Sequence, residues 1–266
     1  MQPEIDLFGL PLKTFGLCFG LAFVVSGLVV GRRLKELGRP LDWAYEMVFA
    51  ALVGGLLGAR LYWVLTNLDD VRGDVVGGIF GGSGLVWFGG LLGGAAGVLL
   101  WARRRGMFNL ELLDACSPAL ALGYAVGRIG CQISGDGDYG TPTDLPWGMA
   151  YPHGVVPTTD VVHPTPIYET LSMCLVGWVL WRARFALRPG LLFACYLVLA
   201  GSERLLVEFV RRNDAVLAGL TQAQLLSLAM IVAGGVWLRK AARSGGLRRT
   251  EADAAGPGPA PAASTA

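Results

Sequence analysis

The sequence predicts an all-α integral membrane protein with about seven transmembrane helices, its N-terminus outside the cell and its C-terminus in the cytoplasm. Hydrophobic residues make up 53% of the 266 residues and charged residues only 16%, whereas a soluble domain usually carries about 25% charged residues. Apolar runs of bilayer-spanning length recur along the chain, and basic residues cluster after every second run. These observations together predict the fold class.

Each apolar run is close to the roughly 20 residues that a helix needs to cross a bilayer. The predicted crossings cover residues 8–30, 43–65, 84–101, 110–133, 167–181, 191–210 and 220–238. Residues 1–243 are therefore predicted to form one polytopic membrane domain. Residues 244–266 are rich in Ala, Pro and Gly, a composition that cannot bury a core, and they are predicted to be a disordered cytoplasmic tail.

The distribution of the basic residues gives the orientation. Most of the 22 Lys and Arg residues follow the first, third, fifth and seventh runs, and the opposite side has only Lys13, Arg72, Arg211 and Arg212. Lys and Arg mark cytoplasmic loops, which places the N-terminus outside. Because positive charge follows the first run rather than preceding it, we do not interpret that run as a secretory signal peptide.

Composition argues against several classes of function. A net charge of +2 gives no electrostatic footprint for nucleic acid. The five cysteines are odd in number and mostly lie in apolar runs, so the sequence predicts neither a disulfide framework nor a metal site. No cofactor is expected.

Charged residues inside the predicted crossings mark candidate sites. The basic ones are Arg60, Arg128 and Arg204, and the carboxylates at similar depth are Glu46, Asp114, Glu169, Glu203 and Glu208. A charge within the bilayer is costly and usually faces a bundle interior or a wet cavity. Structural ion pairing is the alternative, and it explains Arg60 equally well.

The stretch GRIGCQISGDGDYG, residues 127–140, ends the fourth run. Its glycines permit backbone conformations that other residues resist. Irregular backbone at membrane depth is tolerated only where it lines a cavity or is buried in protein. Arg128, at the start of this stretch, is therefore a candidate site residue.

Two further stretches place polar residues beside a crossing. In SERLLVEFVRRND, the residues Arg204, Glu208 and Arg211 share one helix face because they are spaced by four and three. The planar guanidinium fork suits phosphate, so a phospholipid headgroup or another anion is the predicted ligand. In HPTPIYET, two prolines suit a rigid helix start and Tyr168 suits an interfacial anchor, while His163 is open to interpretation as a solvated loop residue.

Together these stretches resemble the prolipoprotein diacylglyceryl transferase family, over about residues 15–213. The first resembles the family's Gly-Arg-x-Gly-Asn-Phe-x-Asn-x-Glu, which closes on a glycine a few residues later. Arg128 and Gly130 match, Asp136 stands where the Glu falls, and Gly140 matches the closing glycine one residue late.

The other two stretches match in the same order along the chain. HPTPIYE resembles His-Pro-Ser-Gln-Leu-Tyr-Glu, with matches at His163, Pro164, Tyr168 and Glu169. RLLVEFVRRND resembles Arg-x-x-x-Glu-Phe-x-Arg, with matches at Arg204, Glu208, Phe209 and Arg211. The chain departs from the family pattern where polar residues are replaced by Phe15, Phe88, Cys131 and Ala200, which stand for a Tyr, a His, an Asn and a Tyr.

The resemblance implies an enzyme that transfers the diacylglyceryl group from phosphatidylglycerol to the lipobox cysteine thiol of a prolipoprotein. A thioether forms and glycerol-1-phosphate leaves, which is the first step of bacterial lipoprotein maturation. The implied partners are phosphatidylglycerol, the prolipoprotein signal peptide with its lipobox cysteine, and the lipid bilayer. The implied location is the bacterial cytoplasmic (inner) membrane, with several passes.

The resemblance also implies residue roles. The catalytic set is Arg128, Arg204, Asp136 and Glu208, and the substrate-binding set is Arg128, Arg204, Arg211, Gly140, His163 and Tyr168. In this assignment two arginines hold the phosphate, Glu208 orients an arginine and Asp136 shapes the loop. Because Phe88 replaces a His, the proton acceptor stays open among His163, Asp138, water and direct activation of the thiol by arginine.

Two other functions remain as alternatives. Residues 81–84, GGSG, have the Gly-x-Ser-Gly pattern of rhomboid proteases with Ser83 as nucleophile, but such a serine needs a positioned base, and no histidine lies inside a predicted crossing. A non-enzymatic phospholipid-binding or transport homologue is the second alternative, suggested by the replaced His and Asn. Cys131 itself is open to a packing role or a chemical one.

Overall fold

The structure is a computed structural model that describes residues 1–7, 10–68 and 86–249. Within these ranges seven helices form the body of the molecule: α1 (Thr14–Glu36), α2 (Asp42–Thr66), α3 (Trp87–Arg104), α4 (Leu110–Ser134), α5 (Thr165–Ala183), α6 (Leu191–Glu208) and α7 (Gln222–Arg243). Three antiparallel hairpins stand between or before them: β1 (Glu4–Leu7) with β2 (Leu10–Lys13), β3 (Met149–Tyr151) with β4 (Thr158–Val162), and β5 (Ala215–Leu217) with β6 (Leu220–Thr221).

The all-helical prediction is confirmed for the body of the described chain, although most helix boundaries differ from the predicted ones; α1, for example, extends to Glu36 and α7 to Arg243. The starts of the first and last helices have identifiable reasons. The first helix begins at Thr14 rather than at residue 8, because the preceding residues pair as the β1–β2 hairpin. The last helix begins at Gln222 rather than at residue 220, because Thr221 is its N-cap residue. Thr221 and Gln224 form a capping box that satisfies the first free backbone N–H groups of the helix. Ser83 and the chain from residue 250 onward lie outside the described residues.

The helix surfaces have membrane character. By length and composition α1, α2 and α7 are apolar enough to cross a bilayer. Large apolar side chains stand exposed on several helices, among them Leu57, Leu171, Leu206 and Val232. Soluble proteins rarely expose contiguous apolar surface on this scale, so these faces are suited to lipid.

Helices α2 and α3 approach each other at a line of glycines. A Cβ atom added at Gly58 would lie 2.3 Å from the carbonyl oxygen of Gly89 and 2.7 Å from the Cα of Gly93. Small residues of this kind let two helix backbones approach closely in a membrane. Glycine is therefore required here by the close packing of the pair.

Helix α4 occupies the centre of the bundle, because it packs against α1, α5 and α6. One buried cluster joins Ala121 and Ala125 of α4 to Met173 of α5 and to Leu192 and Ala200 of α6. The C-terminal end of α4, the N-terminal end of α5 and the C-terminal end of α6 consequently lie together at one end of the bundle. The charged side chains converge at this end.

Candidate active site

The loop that follows α4 is shaped by its glycines. Gly135 has φ 61 and ends α4 by donating its N–H to the carbonyl of Cys131 at 2.9 Å, as glycine often does at a helix C-terminus. Gly137 also has a positive φ, of 94. At Gly140 a Cβ would lie 2.3 Å from the carbonyl oxygen of Val210, so only glycine lets this loop reach the end of α6.

Glu169, on the first turns of α5, is the centre of a charged cluster. Its side chain is fully buried and contacts three arginines: Arg128 Nε at 3.2 Å, Arg211 Nη1 at 3.3 Å and Arg204 Nη1 at 3.5 Å. Tyr124 donates its hydroxyl to Glu169 Oε1 at 2.8 Å. A buried carboxylate needs such partners, because an unpaired one is very costly. Glu169 therefore holds the three guanidinium groups together.

Asp138 forms a second bridge in the same cluster. One carboxylate oxygen pairs with Arg128 and the other with Arg211, and Thr165 at the start of α5 donates to the backbone carbonyl of Asp138 at 2.5 Å. Burial opposes ionisation of this carboxyl, but the guanidinium groups of the two arginines outweigh it and hold the pKa of Asp138 below its usual value. Asp138 is consequently ionised near neutral pH.

Arg204 is oriented by Glu208, one turn further along α6. Arg204 Nη2 lies 2.7 Å from Glu208 Oε2. The other oxygen of Glu208 accepts from Thr221 Oγ1 at 2.6 Å and from Asn213 Nδ2 at 2.8 Å. Through Thr221 the capping box of α7 therefore fixes the position of an arginine in the cluster.

The cluster presents its positive groups outward. Glu169 and Glu208 have no exposed side-chain surface, whereas 16% of the Arg128 side chain and 22% of the Arg204 side chain are exposed. A guanidinium offers several donors in a planar fork, and the bound carboxylates use only some of them. The accessible face of the site is thus suited to an anion, and phosphate is one of the anions that fit the fork geometry.

An open groove of about 420 Å³ lies beside the cluster. The groove is lined by three loop residues, by one residue of α5 and by the end of α6. These are Leu145, Trp147 and His163 of the loops, Tyr168 of α5, and Leu206, Val207 and Val210 at the end of α6. Trp147 Nε1 donates to Tyr168 Oη at 2.8 Å, and His163 Nδ1 lies 3.3 Å from the same oxygen. The groove walls are otherwise apolar.

The structure brings together most of the residues that the sequence singled out. Arg128, Arg204, Arg211 and Glu208 meet in the cluster, Gly140 lets the loop close on it, and His163 and Tyr168 line the groove. Asp136 lies in the loop itself, where its carboxylate accepts the backbone N–H of Asp138 at 3.3 Å. That hydrogen bond is to the loop backbone, and the carboxylate also lies near the Cys131 thiol.

Sequence reasoning gave no role to Glu169, Asp138 and Tyr124 as partners of the arginines. Two features of the sequence pointed to Glu169. It is a carboxylate within a predicted crossing, and it is the last residue of the HPTPIYE stretch that resembles the family. Asp138 was a candidate proton acceptor, and no feature of the sequence marked it as a partner of the arginines. Nothing in the sequence marked Tyr124, whose ring also lies under Arg128, 4.8 Å from its guanidinium carbon.

Cys131 is buried, with its sulfur 3.7 Å from Arg128 Nη1. Its Sγ and carboxylate oxygens of Asp136 and Asp138 lie within 4.8 Å of one another. Because two guanidinium groups already neutralise Asp138, this trio is a poor place for a cation. The geometry fits a small buried side chain that supports the arginine.

Other charges in the helices have structural partners. Asp114 accepts the backbone N–H groups of Gly190 at 2.7 Å and Phe193 at 3.0 Å, at the N-terminus of α6. A carboxylate at this place satisfies free N–H groups and the positive end of the helix dipole. Glu46 forms an ion pair with Arg105. Ion pairing and capping explain these residues without a ligand.

Comparison with known proteins identifies the family of the chain. Residues 4–239 match the family model described as prolipoprotein diacylglyceryl transferase. Proteins named phosphatidylglycerol–prolipoprotein diacylglyceryl transferase are similar to it. The one from Clostridium tetani is 30% identical over 240 residues, covering 88% of this chain and 95% of the relative. Those from Synechococcus elongatus (31% identical, 90% and 88% covered) and Thermotoga maritima (30% identical, 85% and 80% covered) are comparable. The chain belongs to the prolipoprotein diacylglyceryl transferase family.

Proposed function

We propose that this protein is a phosphatidylglycerol–prolipoprotein diacylglyceryl transferase, which acts in the first step of lipoprotein maturation. The family match along nearly the whole chain and the shared name of its relatives support the activity. A homologue that only binds or transports phospholipid is not favoured by these findings. The protease alternative rested on Ser83, which lies outside the described residues.

The observation that carries the proposal is the cluster of three arginines around the buried Glu169. Arg128 and Arg204 bind the phosphate of phosphatidylglycerol with their exposed edges. Glu208 orients Arg204, Asp136 shapes the loop, and Arg211 holds Asp138 and Glu169 in place. Because the cluster is built before the substrate arrives, its charge is already aimed at the phosphate.

The reaction is a displacement at carbon. The lipobox sulfur attacks the glyceryl carbon that carries the phosphate ester, a C–S bond forms and a C–O bond breaks. Glycerol-1-phosphate leaves with the electron pair of the broken bond, and the thiol proton passes to solvent or a base. Negative charge gathers on the leaving phosphate, which Arg128 and Arg204 stabilise.

The lipobox thiol must become a thiolate before it attacks, since free cysteine has a pKa of about 8.5. Asp138 is a poor acceptor for this proton, because its pKa is held low by two guanidinium groups. Positive charge from the arginines lowers the thiol pKa directly. We therefore assign activation of the thiol to the arginines rather than to Asp138.

The proposal includes a membrane arrangement. Residues 1–243 cross the bacterial cytoplasmic (inner) membrane seven times, with the N-terminus outside and the C-terminus inside. The distribution of Lys and Arg among the loops supports this orientation. In this arrangement the ends of α4 and α6 that carry the cluster face outward, where a lipid headgroup and an emerging signal peptide both reach it.

The experiment is a transfer assay in proteoliposomes, with phosphatidylglycerol and a lipobox peptide and mass spectrometry of the product. We expect a diacylglyceryl thioether on the peptide cysteine. Arg128→Ala and Arg204→Ala should each lower kcat/KM by about 100-fold or more, as the loss of one oxyanion donor does. Arg239→Ala, on the exposed end of α7, is the control. Absence of the adduct with folded wild-type protein would refute the activity, and full activity of both arginine variants would refute the phosphate assignment.

A further inference from the structure

The carboxylate of Glu208 is held at one oxygen and used at the other. Its Oε2 pairs with Arg204 Nη2 at 2.7 Å, while its Oε1 accepts from Thr221 Oγ1 at 2.6 Å and from Asn213 Nδ2 at 2.8 Å. Hydrogen bonds to a carboxylate are short and strong. Two of them on one oxygen restrict rotation of the carboxylate, and they thereby set the direction of the oxygen that faces Arg204.

Both donors to Glu208 belong to the segment that connects α6 with α7. Asn213 lies two residues before β5, and Thr221 is the last residue of β6. The two strands pair antiparallel, with Ala215 opposite Thr221, which brings the two ends of the segment together. The β5–β6 hairpin therefore closes with both of its ends on the same oxygen of Glu208.

The hydroxyl of Thr221 acts as an acceptor and as a donor at the same time. Its oxygen accepts the backbone N–H of Gln224 at 3.2 Å, and its single proton is donated to Glu208. Capping of α7 uses only the acceptor, which an Asp side chain would also supply. The donor is needed by Glu208, so this position serves the carboxylate as well as the helix.

These contacts run from the surface of the protein to the arginine cluster. Asn213 is exposed and Thr221 is half-buried, whereas Glu208 is only 4% exposed. Water screens a buried carboxylate poorly, so its hydrogen bonds are stronger than those at the surface. Loss of one of them leaves Glu208 free to turn away from Arg204.

We propose that Thr221 and Asn213 are positioning residues of the enzyme, which through Glu208 set the direction in which Arg204 presents its guanidinium group to the leaving phosphate. The inference rests on the proposed function, which gives Arg204 that task. Charge on the phosphate is greatest as the C–O bond breaks. Misdirection of Arg204 therefore lowers kcat more than it raises KM.

The first test compares variants of the full-length protein in the proteoliposome transfer assay. Thr221→Val keeps the shape of the side chain without its hydroxyl, and we expect kcat to fall by at least about tenfold, the size of one lost hydrogen bond to a charged group. The KM for the lipobox peptide should change little. Thr221→Ser, which keeps the hydroxyl, should restore most of the rate.

Gln224→Met is the matched control for stability, because it breaks the other half of the capping box and leaves both donors to Glu208 in place. It should lower the Tm but keep kcat near the wild-type value. An unchanged kcat in Thr221→Val, or an equal fall in Gln224→Met or in Thr221→Ser, would overturn the proposal in favour of a purely structural role.

A further variant covers the case in which Thr221→Val does not fold. Asn213 is exposed, so its replacement disturbs little packing. Asn213→Asp exchanges the donor for a second carboxylate beside Glu208, and the repulsion should again lower kcat by about tenfold. An unchanged kcat in folded Asn213→Asp would overturn the proposal.

The second test does not require turnover. Phenylglyoxal modifies guanidinium groups, and the site of modification can be mapped by mass spectrometry. Arg204 should react faster in Thr221→Val than in wild type or Thr221→Ser, because its guanidinium group is no longer held by Glu208. Equal rates in the three proteins would overturn the proposal. If the rates differ as expected but wild-type protein makes no thioether, the positioning of Arg204 stands and the transferase activity does not.

Discussion

Asp136 and Asp138 show how two similar side chains in one loop take different places. The carboxylate of Asp138 bridges Arg128 and Arg211, whereas that of Asp136 accepts a backbone N–H of the loop. The spacing of the motif matched Asp136 to the family's Glu. The direction of each side chain decides which of the two carboxylates pairs with the arginines. That direction follows from the backbone conformation of the loop.

Asp138→Asn is predicted to impair the enzyme more than Asp136→Asn. Loss of a charge that accepts from two guanidinium groups should cost about 2 kcal/mol, or about 30-fold in kcat/KM. The matched variant Asp136→Asn keeps an acceptor oxygen for the loop and should lose only a few-fold. Transfer assays of both variants give the comparison. A larger loss for Asp136→Asn would show that the carboxylate at the motif position carries the function.

The pH profile of the same variants tests the assignment of the proton acceptor. Because the pKa of Asp138 is lowered in the folded protein, its ionised carboxylate gives its full stabilisation above the unfolded pKa of about 3.9. That stabilisation is lost only as the pH falls through the lower folded pKa. Between pH 5 and 9 the wild-type rate should therefore rise with ionisation of the substrate thiol. Asp138→Asn should keep the shape of this rise at a lower rate. A wild-type rate that is flat over this range, and that rises with pH only in Asp138→Asn, would identify Asp138 as the base.

At the scale of the elements, glycine positions decide how closely helices and loops approach. Gly58 and Gly93 bring α2 and α3 into backbone contact, and Gly140 brings the site loop to the end of α6. The sequence showed that glycine was abundant, with 39 residues. It did not separate Gly93 from Gly20, where an added Cβ meets nothing within 4 Å.

Gly58→Ala is predicted to destabilise the α2–α3 pair. The added Cβ meets backbone atoms that cannot rotate away, and such overpacking typically costs about 1–3 kcal/mol. Thermal unfolding in detergent should show a lower Tm. Gly20→Ala, in the open part of α1, should leave the Tm unchanged or raise it, because alanine favours a helix. Equal Tm values for Gly58→Ala and wild type would contradict the close approach.

At the scale of the whole molecule, the bundle gathers residues that are far apart in sequence. Arg128 and Arg211 both pair with Asp138 and Glu169, although they come from α4 and from the chain beyond α6. The C-terminal chain also returns to the α5–α6 connection, where Arg188 donates its N–H to Leu247 at 3.1 Å. In the proposed orientation the cluster and this contact lie on opposite sides of the membrane.

Thiol labelling is predicted to report this orientation. In a background without the native cysteines, His153→Cys in the loop between β3 and β4 should react with a membrane-impermeant maleimide in intact cells from which the outer barrier has been removed. Ser244→Cys should react only after the cytoplasmic membrane is opened. Both positions are exposed on the protein. The reverse pattern would refute the proposed orientation of the termini.

The sequence by itself determined the helices, the membrane character and the arginines of the site. These are local properties. An apolar run by itself predicts a helix, and a charged residue inside that run can be recognised without knowing what the helix packs against. Only the tertiary structure decided that Glu169 joins Arg128, Arg204 and Arg211, and that Asp138 is the loop carboxylate which bridges two of them. Those pairings depend on the packing of α4, α5 and α6 and on the left-handed turns at Gly135 and Gly137, and no spacing along one segment encodes how separate segments meet.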